Sequence, residues 1–326
     1  MISSSQRPPN LHSAARSRKR GRRVTERLFD QGFISLTQIL AIAVSLILVV
    51  ICITLTTNAL PAIQALGLKF LVTNSWNPVE GRETYGALSM IYGTLASSVI
   101  ALTIAGPLAL GTAICLSEDF IPIKLRTILI FLVELLAAIP SIVYGLWGIF
   151  VLIPITKEIG TWLHNTYGWI PLFSTAPVGP GLFPASLVLA VMILPIITTI
   201  SREALTSLPP ELRQASLGLG ATRWYTIFRV LVPAAFSGII GAVILALGRA
   251  MGETMAVTML IGNANQVNVS VLAPANTIAS LLANQFAEAD GLQVSALMYA
   301  ALVLIAMSLA VNLLTEWIVN QVKHKY

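Results

Sequence analysis

Arg249 and Glu253 stand four residues apart inside an apolar run of this chain. An arginine at the centre of a membrane helix costs about 2.5–3.5 kcal/mol to insert. A carboxylate on the same helical face offsets part of that cost, although the Arg-then-Glu order is the weaker orientation of such a pair. Two readings follow. One is a structural ion pair that neutralises itself between helices. The other is a pair lining a solute path, with the guanidinium fork donating parallel hydrogen bonds to an oxyanion and Glu253 holding Arg249 between substrates. Gly248 and Gly252 flank the arginine as G-x-x-x-G, a spacing that lets a second helix approach closely. Other chemistry is sparsely provided for. His12, His164 and His324 lie far apart without metal-ligand spacing. No Ser/His/Asp grouping emerges. No lysine follows a glycine, so the chain has no phosphate-binding P-loop and does not hydrolyse ATP by itself. No cofactor is implied.

The composition says where these residues must sit. Of 326 residues 56% are hydrophobic and 10% charged, whereas soluble domains carry about 25% charged residues. Folding alone does not shield so much apolar surface from water, so the chain belongs in a bilayer. Six runs reach the roughly 20 apolar residues that a spanning helix needs: Phe33–Thr57, Leu88–Leu116, Thr127–Ile155, Leu182–Ile200, Ala235–Ile261 and Ser295–Ile318. The first is too long for a signal-peptide core and is read as a retained span. The fold class expected is therefore all-α, a polytopic six-span bundle. Its divisions are a basic tail (1–30), the first span with an outside loop (31–87), a core (88–318) containing a polar loop (201–234), and a short C-terminal tail (319–326).

Charge sets the orientation. Residues 1–27 carry eight Lys/Arg and one Glu, and the rest of the chain is close to neutral. With the N-terminus inside, sixteen Lys/Arg fall on the inner side and three, Lys69, Arg82 and Lys157, on the outer. The positive-inside rule then places both termini and the loop 201–234 in the cytoplasm. The basic tail reads as a segment held at the lipid surface rather than as a nucleic-acid site. Cys52 and Cys115 read as small buried hydrophobes. Glu134 reads as an interfacial charge near Arg126. Ser141 and Tyr144 read as packed side chains, with a hydrogen bond to a passing oxyanion as the alternative. A short amphipathic helix is expected over Thr277–Ala289, with Ile278, Leu281, Leu282 and Phe286 on one face.

The loop between the fourth and fifth spans is built as a helical elbow. Pro209-Pro210 opens a helix, and Glu211 sits where the helix dipole favours an anion. Leu212, Ala215 and Leu219 form an apolar stripe. Gly220 is free to take the left-handed conformation that closes one helix and starts another. Trp224, Phe228 and Leu231 are expected on one side of the second arm, and Pro233 marks return to the membrane.

Gln214–Pro233 resembles the coupling ("EAA") loop of ABC importer permeases. Ala215 falls on the first alanine of that pattern, Gly220 on its glycine, Val230 and Val232 on its aliphatic positions and Pro233 on its proline. Gln214 replaces the glutamate and Ser216 the second alanine. LGRAMGETMAV (Leu247–Val257) is similar to the G-R-A-x-G-E-T segment of phosphate-importer permeases, and AAIPSIVYGLWG (Ala137–Gly148) to their I-P-S-x-V-Y-G segment. Trp76–Ser98 resembles the PstC type of subunit rather than the PstA type. The resemblance implies a MetI-like inner-membrane permease for inorganic phosphate. It implies Gln214, Ala215, Gly220 and Ala221 at the ATPase contact and Arg249 and Glu253 in the solute path. The implied partners are a PstA-type permease, a dimer of PstB-type ATPases and an external PstS-type phosphate-binding protein. The alternatives are a permease for molybdate or sulfate, a gradient-driven transporter, and a membrane-embedded enzyme. The charge count makes one direct prediction. A cysteine at position 223, in a Cys52→Ser, Cys115→Ser background, is expected to react with a membrane-impermeant thiol reagent only after cells are permeabilised.

Overall fold

The structure, a computed structural model, describes residues 24–79 and 81–323. Most of the basic tail, including Arg16 to Arg23 and His12, lies outside the described residues, as do His324 and Lys325. Eleven helices carry the architecture: α1 (Val24–Leu66), α2 (Leu88–Ser117), α3 (Ile123–Ala138), α4 (Ser141–Tyr167), α5 (Leu182–Thr206), α6 (Pro210–Gly218), α7 (Arg223–Ala234), α8 (Phe236–Gly252), α9 (Met255–Leu260), α10 (Ile278–Gln285) and α11 (Gly291–Lys323). A two-residue hairpin pairs Trp76 with Tyr85 and Asn77 with Thr84. The described residues fall into two units dividing after Ile53. The described part of the first is the start of α1, whose apolar run from 33 to 53 is exposed, as a lipid-facing surface requires. The packing described next belongs to the second unit.

Among the described residues five helices are long and apolar enough to cross a membrane, and six spans result if α7 and α8, bent by 68° where they join, count as one. The third span differs from expectation. A helix across Thr127–Ile155 is interrupted at Ile139-Pro140, because proline cannot donate to the helical ladder and forces the preceding residue out of the helical region. Ile139 is extended (ψ 128°). The spanning helix is α4, which runs on through a π-helical turn at Gly148–Leu152 to Tyr167. Pro140 cannot supply the N–H that would continue the ladder, so Leu136 O accepts instead from Ile139 N at 3.4 Å and from the Tyr144 hydroxyl at 2.8 Å. The fifth span is also interrupted. α8 ends at Gly252, Glu253 is extended (ψ 124°) and α9 begins at Met255.

The central packing is α2 against α5. Ala101, Ala105, Ala109 and Ala113 recur every fourth residue on α2 and are fully buried. A stripe of small side chains lets backbones approach closely, which is how membrane helices gain van der Waals contact without a hydrophobic drive. Leu189, Ile193 and Ile197 of α5 join that stripe in the same core. A second core gathers Ala62, Phe70, Tyr85, Met90, Ile278, Leu281 and Leu297, with Phe70 stacked on Tyr299 at 4.5 Å. Here α10 forms where the periodicity places it, Thr277 capping it by accepting from Ser280 N, but Phe286 stays exposed beyond its end. Cys52 and Cys115 are exposed rather than buried, so both depart from the reading as core residues.

Gly93 fixes the approach of α2 to the segment before α10, since a Cβ there would run into the Asn276 carbonyl oxygen. Gly93→Ala is therefore expected to destabilise the chain by about 1–3 kcal/mol through overpacking. Gly111→Ala, on the same helix with open space around it, is expected to be neutral or slightly stabilising. Thermal unfolding of the two variants in detergent checks the contrast.

Candidate functional site

Arg249 lies thirteen residues after the start of α8, about 20 Å along the helix at 1.5 Å per residue. It is exposed in the isolated chain and, among the described residues, has no ion-pair partner. The expected helical pair with Glu253 does not form. α8 ends one residue before Glu253, so the four-residue spacing no longer puts the two on one face. The Glu253 carboxylate instead turns toward the next helix, its Oε1 accepting from Ala256 N at 3.4 Å. Arg249 lines a cavity of about 740 Å³ together with Ile196, Gly241, Ile244, Leu245, Gly248 and Asn312. Gly248 and Gly252 do not serve a tight helix crossing. A Cβ on either would meet open space, and both border a gap of about 390 Å³ toward α11. The close approaches fall at Gly145 and Gly148, against Met259 and Leu260.

The elbow forms as its residues dictate. Pro209 and Pro210 open α6. Gly220 has φ +83°, and around it Gly220 N donates to Leu217 O and Ala221 N to Ser216 O. That pair of bonds is the Schellman closure, which satisfies the last carbonyls of α6. Gln214 and Ala215 are exposed, and Ala221 is half-buried. Leu212, Ala215 and Leu219 face a groove of about 710 Å³ shared with Gly220, Ala221, Thr222 and Tyr225. Leu219 is 89% exposed, an exposure that leaves the apolar stripe unpartnered within the chain.

Several residues of the elbow escaped the sequence reading. Ser216 is buried, and its hydroxyl pairs with that of Thr226 at 2.9 Å. The departure from alanine thus ties the first arm of the elbow to the second. Leu231 does not share a face with Trp224 and Phe228. A π-helical turn over Ile227–Leu231 inserts an extra residue, so Ile227 and Leu231 are buried while Trp224 and Phe228 remain outside and stacked. Arg213 reaches across to the end of α2, where its Nε and Nη2 donate to Glu118 Oε1 at 3.0 and 2.9 Å. The Glu118 side chain is 10% exposed and that of Arg213 23%. Nη2 also donates to Leu205 O. Beside this pair Phe120 stacks on Trp224 at 5.2 Å, and the Arg223 guanidinium lies 4.4 Å from the Phe120 ring centre. Arg126 pairs with Asp119 at 2.6 Å rather than approaching Glu134, which is exposed on α3. No group of three or more metal-ligating side chains occurs among the described residues.

Comparison with known proteins agrees with this architecture. Residues 106–326 match the family described as binding-protein-dependent transport system inner membrane component. The phosphate transport system permease protein PstC of Pasteurella multocida is 41% identical over 93% of this chain and 95% of its own length. The protein of the same name from Haemophilus influenzae is 42% identical over 91% and 94%. Two crystal forms of the MetNI methionine ABC transporter in inward-facing conformations share the fold, with TM-scores of 0.51 and 0.53, 21% and 19% identity, and coverage of 73% and 72% of this chain and 94% and 96% of theirs. The chain belongs to the binding-protein-dependent transport system inner membrane components and, within them, to the PstC-type permease proteins.

Proposed function

We propose that the chain passes inorganic phosphate across the inner membrane as one permease subunit of an ATP-driven importer. The substrate reading is supported by the function of the similar permease proteins and by one observation in particular: Arg249, deep in a span and with no ion-pair partner among the described residues, lines a cavity. An uncompensated charge in low dielectric is costly, and its planar fork matches the oxygens of a tetrahedral anion. A phosphate arriving there supplies the missing countercharge. Glu253 then acts by its negative charge near the end of the path rather than as a helical partner of Arg249.

The elbow is the contact for a separate ATPase in this reading. Its exposed stripe at Leu212, Ala215 and Leu219 offers apolar surface to a partner's groove, with Gln214 beside it. The remaining partners are a second, PstA-type permease, a second copy of the ATPase, and an external phosphate-binding protein that delivers the solute. Both termini and the elbow lie on the cytoplasmic side, as the charge distribution requires. ATP-driven closure of the ATPases pushes α6. The bridges Arg213–Glu118 and Phe120–Trp224 carry that push to the α2–α3 junction, and α7 carries it into α8 and hence to Arg249.

Two variants test the two ends of this mechanism. Arg249→Gln is expected to lower phosphate uptake by about a hundredfold while the assembled complex still forms, and Arg249→Lys to recover only part, since an ammonium lacks the bidentate fork. Parental uptake by Arg249→Gln overturns the site. Arg213→Met leaves a largely buried carboxylate unpaired. It is expected to cost about 3 kcal/mol of stability and to reduce uptake more than ATP hydrolysis by the purified complex. The exchange Glu118→Arg with Arg213→Glu is expected to restore part of both, measured by calorimetry and uptake side by side.

A further inference from the structure

Resting on the phosphate-path reading of Arg249, we infer that Asn312, with Ser308 one turn before it, supplies the second wall of that path: neutral hydrogen-bond donors on α11 that take over the phosphate oxygens Arg249 leaves uncovered. Asn312 lines the cavity that Arg249 lines. It also lines the adjoining gap, together with Ser308, Gly248 and Gly252, so the two spaces meet at its side chain. The span that carries it is otherwise strongly apolar (mean hydropathy 2.3 over its best window).

The side chains of Asn312 and Ser308 make no hydrogen bond to any other described residue. That sets Ser308 apart from Thr315 on the same helix, whose hydroxyl bonds back to Val311 O at 2.8 Å. A carboxamide taken into hydrocarbon without a partner is costly, and polar side chains within spans usually face the bundle interior or a water-filled space. Here both face α8. The spacing of four residues puts them on one helical face.

The chemistry of the solute asks for such a wall. Phosphate near neutral pH carries about one to two negative charges on four oxygens. A single guanidinium fork binds two of them side-on. Ile196, Ile244 and Leu245 offer no donor to the rest, so the ion would pass half stripped of water. The Asn312 carboxamide has two N–H donors and the Ser308 hydroxyl one. Being neutral, they replace water without adding charge that would trap the ion. The cavity extends from Arg249 back along α8 to Gly241, the direction in which helical side chains lean. In the proposed orientation that is the cytoplasmic half, and Asn312 stands where this cavity meets the gap beside Gly252.

The test uses the whole importer in proteoliposomes, with its ATPases, second permease and phosphate-loaded binding protein, and radiolabelled inorganic phosphate as the probe. Asn312→Leu is expected to lower the maximal uptake rate about tenfold, the effect of losing one hydrogen bond to a charged group at the limiting step. KM is expected to stay put, because capture is the binding protein's task. Asn312→Gln, which keeps the donors, is expected to recover most of the rate. Complex yield and ATP hydrolysis stimulated by the loaded binding protein are expected to stay near parental, a separation that a packing role would not give. A parental rate in Asn312→Leu overturns the inference, as does a loss that tracks disassembly and that Asn312→Gln fails to rescue. Arg249→Gln measured in parallel keeps the two readings apart. If it transports normally, the phosphate path itself is wrong. If it is inactive while Asn312→Leu is normal, only the role of Asn312 falls.

Discussion

Hydrocarbon offers no hydrogen bonds, so every polar group carried into the spans must find a partner in the protein or face an aqueous space. Most of this chain complies. Thr94, Thr103 and Thr112 on α2 bond back to carbonyls one turn earlier. Tyr144 donates to Leu136 O beside the Pro140 break. Glu253 turns toward the first amides of the helix after its own break. Against that background Arg249 and Asn312 border one space between α8 and α11, and Ser308 borders the space adjoining it. The glycines at 241, 248 and 252 keep the facing surface of α8 low, so the gap stays open where larger side chains would fill it.

The same rule shapes the elbow. Outside the membrane water can satisfy backbone groups, yet the elbow is tied internally as tightly as a core. The Schellman closure at Gly220 seals α6, the Ser216–Thr226 pair joins its two arms, and Ile227 and Leu231 anchor the second arm on Ile114, Leu205 and Ile239. Rigidity is what a lever needs, since a compliant loop would dissipate a push as its own deformation. What remains unsatisfied is apolar rather than polar, and it points outward.

Features that depend on local chemistry were legible in the sequence. The prolines, the left-handed glycine and the apolar runs each act within a few residues of themselves. Membrane character followed from composition because no arrangement of so few charges could cover so much apolar surface. The missed features are of two kinds. Some pair residues distant in sequence: Glu118 and Arg213 lie 95 positions apart, and no local pattern announces them. Others come from a change of register. The π-helical turn at 227–231 rotated Leu231 away from Trp224, and the break after Gly252 removed Glu253 from the helix that the spacing argument assumed. Arg249 was singled out because a charge in an apolar run is rare. Asn312 was overlooked because a single neutral amide in such a run is not.

The break at Gly252 also explains how a lever could act on the path. α8 is joined covalently to the second arm of the elbow through the bend at Ala235, so a push on that arm moves α8 as a rod. α9, beyond the break, packs into the central core through Ala256, Val257 and Leu260. A continuous helix would drag those residues along and disturb close-packed contacts at every stroke. With extended backbone at Glu253, the proposed mechanism has α8 pivot with Arg249 while α9 stays seated. The guanidinium then shifts against α11, whose N-terminal half is held in the second core through Ala296, Leu297 and Ala300. In the proposed mechanism, opening and closing the space between Arg249 and Asn312 uses the joints at Ala235 and Glu253 and slides Ala242, Ala246 and Ala250 of α8 along the core they share with the alanine stripe of α2.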